Sequence, residues 1–224
     1  MDVEAGEIEK EQNDFIRMLP LEFAAKEVSD PDDICFCCNK VGNLVVICEA
    51  PQKPGQKRQL WCVVGPHWSV MLTCTTPLIA IPCLLTILYI STRVPIYLTI
   101  IFALASFIVL CALWKTATTD PGLIIRRDEN PEEGSNNKKW SWEDRTQTWR
   151  PVTARYADDC GVLVDEYDHT CPWTGTAIGK GNIRYFYLFT GGLIPLVILL
   201  VICVFVGLAT EESRQNEQAN SKDE

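Results

Sequence analysis

Long apolar runs alternate with strongly polar stretches along the chain. Residues 69–92, 94–114 and 185–209 are continuously apolar, and no Asp, Glu, Lys or Arg falls inside any of the three. A bilayer-spanning helix takes about 20 mostly apolar residues, and a soluble core helix would be shorter or carry a polar stripe. The pattern therefore predicts an α-helical integral membrane protein with three transmembrane helices. Ser91, Thr92 and Arg93 lead directly to Pro95 at the start of the second run, so the first two runs should form a tight helical hairpin. Pro77 and Pro82 predict a kink in the first helix. Gly191, Gly192 and Pro195 interrupt the third run.

The polar stretches fill the remaining segments. Residues 1–68 form an N-terminal region. Its first 30 residues are acidic and read as a flexible arm with a short helix over 13–26. No apolar run lies near Met1, so no secretory signal peptide is expected. The run from Leu44 to Ile47 suits a short strand, and Trp68 at the edge of the first apolar run suits a membrane interface, with His67 an interfacial residue beside it. Residues 115–184 form the long loop. Residues 128–139 within it read as an exposed linker, but aromatics return from Trp140 onward and residues 140–184 hold enough apolar surface to fold. Residues 210–224 read as a polar tail.

Lys and Arg set the orientation. Seven precede the first helix, one lies in the short turn, ten in the long loop and two in the tail. The N-terminal region and the long loop are thus expected in the cytosol. The formal net charge of −9 argues against nucleic acid as a partner. Of the eleven cysteines, Cys74, Cys83, Cys111 and Cys203 lie in apolar runs, which favours reduced thiols over a secreted disulfide framework. Cys35 and Cys38 have zinc-knuckle spacing, and Cys48 and Cys62 are candidates to complete four thiolate ligands. The alternative is a set of free or lipid-modified thiols on a small hairpin.

One stretch of the loop concentrates chemistry: Asp168-His169-Thr170-Cys171-Pro172-Trp173. An imidazole two residues from a thiol can take its proton and make it a nucleophile. A carboxylate beside the imidazole can orient it and stabilise its protonated form. A thiolate on the cytosolic side, close to a membrane helix, meets acyl chains, and exchange between thioesters is nearly neutral in energy. Acyl transfer is the chemistry this placement predicts, with Cys171 as nucleophile, His169 as base and Asp168 as its partner.

These residues resemble the DHHC family of protein S-acyltransferases. The resemblance rests on Asp120-Pro121-Gly122 after the second helix, Arg150-Pro151, the Asp168–Trp173 stretch, Gly175, Gly179, Asn182 and Arg184-Tyr185-Phe186-Tyr187-Leu188-Phe189, with Gly65-Pro66 further upstream. It implies a cysteine-rich domain at about 140–184. It also implies auto-acylation of Cys171 from palmitoyl-CoA or another fatty acyl-CoA, then transfer to cysteines of substrate proteins at the cytosolic face, with membrane lipid as the surroundings. The family's domain binds two zinc ions. The eight ligand positions are occupied here by Glu143, Thr146, Tyr156, Ala157, Cys160, Leu163, Thr170 and Ala177, of which only Cys160 retains a family ligand. Zinc is therefore not expected at these positions, and an apolar cluster of Trp149, Tyr156, Val162, Leu163 and Tyr167 is expected in its place. The family also has at least four membrane helices around its acyl chain. With three legible here, the missing cavity wall is expected from an oligomer, a partner or a longer form of the chain.

Three functions compete for this sequence. A protein S-palmitoyltransferase is favoured by the retained Asp168, His169 and Cys171. A non-catalytic membrane adaptor or regulatory subunit is favoured by the lost zinc ligands. A membrane-anchored zinc protein built on Cys35, Cys38, Cys48 and Cys62 is the third.

Overall fold

The computed structural model describes residues 39–49, 60–127, 129–130 and 139–221. The expected N-terminal arm and Cys35, Cys37 and Cys38 lie outside the described residues, as does nearly all of the linker at 128–139.

Three helices are long and apolar enough to cross a membrane: α1 (Trp68–Ile90), α2 (Ile96–Thr118) and α3 (Ile183–Asn220). Their shared core includes Met71, Cys83 and Ile90 of α1, Phe102, Val109 and Leu113 of α2, and Phe189, Leu196 and Cys203 of α3. The outward faces are equally apolar, with Leu78, Leu85, Phe107, Ile194 and Phe205 exposed. Helices that are apolar all round are stable where lipid replaces water. Proline lacks the N–H that a regular helix needs. Just before Pro77, α1 takes one turn of wider π winding at Met71–Thr75, and the Thr76 hydroxyl donates to the Met71 carbonyl at 2.9 Å.

The helices and the apolar runs do not end together. α2 continues beyond residue 114 to Thr118, and α3 continues beyond residue 209 to Asn220, so most of the expected polar tail is helical. Polarity marks where a membrane ends, whereas a helix ends where its hydrogen-bond ladder does. The polar extension of α3 is also tied to the turn between α1 and α2. Arg93 Nε lies 3.2 Å from Glu211 Oε2, and Arg214 donates to the Thr92 carbonyl at 3.2 Å.

Between α2 and α3 the chain builds three antiparallel hairpins: β4 (Trp140–Glu143) with β5 (Thr148–Pro151), β6 (Arg155–Ala157) with β7 (Val162–Val164), and β8 (His169–Cys171) with β9 (Thr176–Ile178). Upstream of α1 lies a three-stranded sheet in the order β1 (Asn39–Val41), β2 (Leu44–Glu49), β3 (Leu60–Val64). The predicted strand at Leu44 is β2. This upstream sheet packs onto the hairpins. Val41, Leu44, Val46 and Val63 join Ala157, Cys160, Val162, Val164 and Ala177 in one buried cluster, with Leu123, Ile125 and Tyr167 at its margin.

The expected aromatic cluster takes a different form, for a reason intrinsic to strands. Successive residues of a strand point to opposite faces. Val162 and Val164 face the upstream sheet, and Leu163, also fully buried, faces away. Leu163 pairs across the hairpin with Tyr156, while Trp149 packs edge-on against Trp142 with centroids 5.6 Å apart. Apolar packing replaces the metal positions, but through two surfaces rather than one cluster.

Candidate active site

The site is assembled where α2 ends, α3 begins and the β8–β9 hairpin lies between them. Asp120 closes the turn after α2, with one carboxylate oxygen accepting from the backbone N–H of Gly122 at 2.8 Å and of Leu123 at 2.9 Å. Burial pushes the Asp120 carboxyl up, and those two N–H donors oppose the shift. Gly181 then donates to the Pro121 carbonyl at 3.0 Å and Asp165 to the Gly122 carbonyl at 2.8 Å, so the turn is sewn into the small domain. Asn182 completes the junction. Its amide donates to the carbonyls of Thr116 at 3.2 Å and Ala177 at 2.9 Å and accepts from Gly179 N at 3.0 Å.

Strand geometry then places the predicted trio. His169 and Cys171 are two residues apart on β8, so they share a face, about 6.6 Å apart along the strand. Thr170 points to the other side. Asp168 Oδ2 lies 3.2 Å from His169 Nδ1. With Nδ1 donating to the carboxylate, Nε2 is the nitrogen left to accept a proton. The imidazole also packs edge-on against the Phe186 ring at a centroid distance of 5.2 Å. Cys171 is buried, 8% exposed. The turn that follows it is closed by Gly175 N donating to the Cys171 carbonyl at 2.9 Å, and the Thr174 hydroxyl donates to the same oxygen at 3.3 Å. The first turn of α1 backs this hairpin, since His67 N donates to the Gly175 carbonyl at 3.2 Å. Trp68 and Trp173 are both exposed at this end of the helices.

Cys160 lies apart from the trio, fully buried in the cluster shared with the upstream sheet. Its contacts are Thr170 and Ala177, and burial pushes its thiol up to about 11. Ala157, Cys160, Thr170 and Ala177 thus offer a single thiol that holds its proton at neutral pH, which is not a zinc donor set. The other four positions are no better. Glu143 is held by Arg150 at 2.9 Å, and Tyr156 faces Leu163 across the hairpin, under the Arg145 guanidinium. Thr146 is a lone buried hydroxyl. Among the described residues, no three His, Cys, Asp or Glu side chains converge as ligands. The residues present do not fit zinc. Of the other zinc candidates, Cys48 and Cys62 are direct cross-strand partners on β2 and β3.

Two contributors carry no role from the sequence alone, Phe186 against the imidazole and Thr176 opposite Cys171. The β-branched residues flanking Pro172–Gly175 are a hairpin signal, and that hairpin register would have paired Cys171 with Thr176.

The family model described as DHHC palmitoyltransferase matches residues 136–223. The chain is similar to palmitoyltransferase ZDHHC9 of Danio rerio, 27% identical over 198 residues, covering 76% of this chain and 47% of that protein. It is 30% identical over 129 residues to palmitoyltransferase ZDHHC5 of Homo sapiens, covering 51% of this chain and 18% of that protein. Against palmitoyltransferase ZDHHC18 of Homo sapiens it is 25% identical over 153 residues, with 57% and 39% covered. The matched regions span less than half the length of these curated relatives.

Proposed function

From the match to the DHHC palmitoyltransferase model and the similarity to palmitoyltransferases, we propose that the chain belongs to that family and is a protein-cysteine S-palmitoyltransferase working through an acyl-Cys171 intermediate. The observation that carries this reading is the pairing of Asp168 with His169 on the strand face that also bears Cys171. His169 takes the Cys171 proton as the sulfur attacks the carbonyl carbon of a fatty acyl-CoA, and the proton goes to the departing coenzyme A sulfur. In the second half the acceptor cysteine of a substrate protein loses its proton to His169 and attacks acyl-Cys171. The acyl group leaves on the acceptor, and the proton returns to Cys171. Asp168 holds the imidazole by Nδ1 and stabilises its charged form.

The excess of Lys and Arg before α1 and in the long loop supports a cytosolic location for the N-terminal region and the site, with substrate proteins met at that membrane face. The mismatch between the retained trio and the zinc positions keeps one alternative in view, an adaptor that never acylates. Labelling with a fatty acyl-CoA analogue separates the two. Wild type in membranes is expected to acquire a hydroxylamine-labile label that Cys171→Ser abolishes. A folded wild type that never labels, even with partner proteins added, would leave the adaptor reading standing.

A further inference from the structure

Thr176 stands directly opposite Cys171 in the β8–β9 pair. Opposed residues of an antiparallel pair project from the same face with Cβ atoms about 4.5–5.5 Å apart, so the Thr176 side chain lies beside the nucleophile. It is 1% exposed, and its hydroxyl has no hydrogen-bond partner among the described residues. An unmatched buried hydroxyl is destabilising, and a valine of the same shape would remove that cost. Packing alone therefore does not account for a hydroxyl at this position.

Four buried threonine hydroxyls in the described residues lack partners: Thr75, Thr99, Thr146 and Thr176. The first two are on membrane helices and the third is in the β4–β5 turn. Thr176 alone shares a strand pair with Cys171. Its backbone is also fixed from behind. A Cβ at Gly65 would come within 2.6 Å of the Thr176 Cα, so the two segments are in the closest contact that glycine permits.

Resting on the reading that Cys171 is acylated, we propose that Thr176 is a further catalytic residue, whose hydroxyl donates a hydrogen bond to the oxyanion formed at the thioester carbonyl. As the sulfur–carbon bond forms, the carbonyl π pair moves onto oxygen, and the Thr176 O–H points to that oxygen without giving up its proton. Collapse re-forms the C=O bond and expels the coenzyme A sulfur, which receives the proton held by His169. A donor fixed in a dry site before charge develops is the arrangement that stabilises such a transition state most.

The test uses the full chain in detergent or nanodiscs with palmitoyl-CoA, comparing wild type, Thr176→Val, Thr176→Ser and Cys171→Ser. Single-turnover acylation is measured across acyl-CoA concentrations, and thermal melting on the same samples. Thr176→Val is expected to lower the limiting acylation rate by about 10²-fold, the loss typical of one missing oxyanion donor. Its half-saturating acyl-CoA concentration should be unchanged and its melting temperature equal or higher. Thr176→Ser, which keeps the hydroxyl, should restore most of the rate. Two results overturn the proposal: Thr176→Val acylating at the wild-type rate, or losing rate only together with melting temperature. A folded wild type that never acylates overturns the acyl-enzyme reading and this proposal with it.

Discussion

Gly42→Val is expected to unfold the small domain that presents Cys171 while leaving the three helices inserted, and metal chelators are expected to leave that domain intact. Gly42 turns β1 into β2 with φ of +58°, in the left-handed region. A Cβ there would lie 2.7 Å from the carbonyl oxygens of both Cys160 and Gly161 and 2.9 Å from Val162 Cγ1. The Cys160 carbonyl is held in place, because Asn43 N donates to its oxygen at 2.8 Å and the Asn43 side-chain amide donates to the preceding Asp159 carbonyl at 2.9 Å. A left-handed residue with a Cβ is strained by roughly 1–2 kcal/mol, and overpacking against a fixed neighbour adds about 1–3 kcal/mol. Together they approach a large share of a marginal domain's stability.

The chelator arm follows from the same packing. Where zinc holds a small domain it contributes on the order of 10 kcal/mol, so its removal unfolds the protein. Here the upstream sheet supplies Val41, Leu44, Val46 and Val63 around Cys160, at the positions where ligands have become alanine, threonine and one protonated thiol. Thermal melting of the purified chain with and without a strong zinc chelator reads one arm. Hydrogen exchange of residues 155–178 in Gly42→Val reads the other. A chelator-induced drop in melting temperature, or unchanged exchange in the variant, contradicts this account.

The helices were legible because apolar runs with no polar face have few other homes, and the trio could be proposed because its members fall within four residues. His169 and Cys171 needed only the period of a strand to share a face. The domain around them was harder to read. Its strands are mostly three residues long, too short to show alternation, and its core is made of small residues far apart in sequence, such as Gly42 against Cys160. Nothing local in Asn39–Val41 shows that it will cover a hairpin more than a hundred residues away. The same limit explains Leu163. Its apolar character was readable, but the face it takes depends on strand register, which Tyr156 and Val164 fix only in three dimensions.

Asn182→Ala should rank with Gly42→Val in severity, for the opposite reason: it removes contacts instead of adding them. The Asn182 side chain is fully buried and makes three hydrogen bonds, to the Thr116 and Ala177 carbonyls and from Gly179 N. Each buried backbone group deprived of its partner costs about 1–3 kcal/mol, and the three losses share one cavity, so they will not simply add. A net loss of about 3 kcal/mol or more is expected, read as a lowered melting temperature. Alanine cannot span the distance between α2 and β9, whereas Asn182→Asp keeps the acceptor for Gly179 but turns a carboxylate toward two carbonyl oxygens. Asp should therefore be at least as damaging as Ala at neutral pH and partly recover in acid, where the protonated carboxyl can donate again. Equal melting of Asp and Ala variants at every pH would mean that volume, not the paired donors, holds this junction. The link to chemistry is short. Ala177 precedes Ile178, which pairs with His169, and follows Thr176, which pairs with Cys171. Loosening Ala177 from α2 should thus slow acylation at temperatures where the helices are still fully folded.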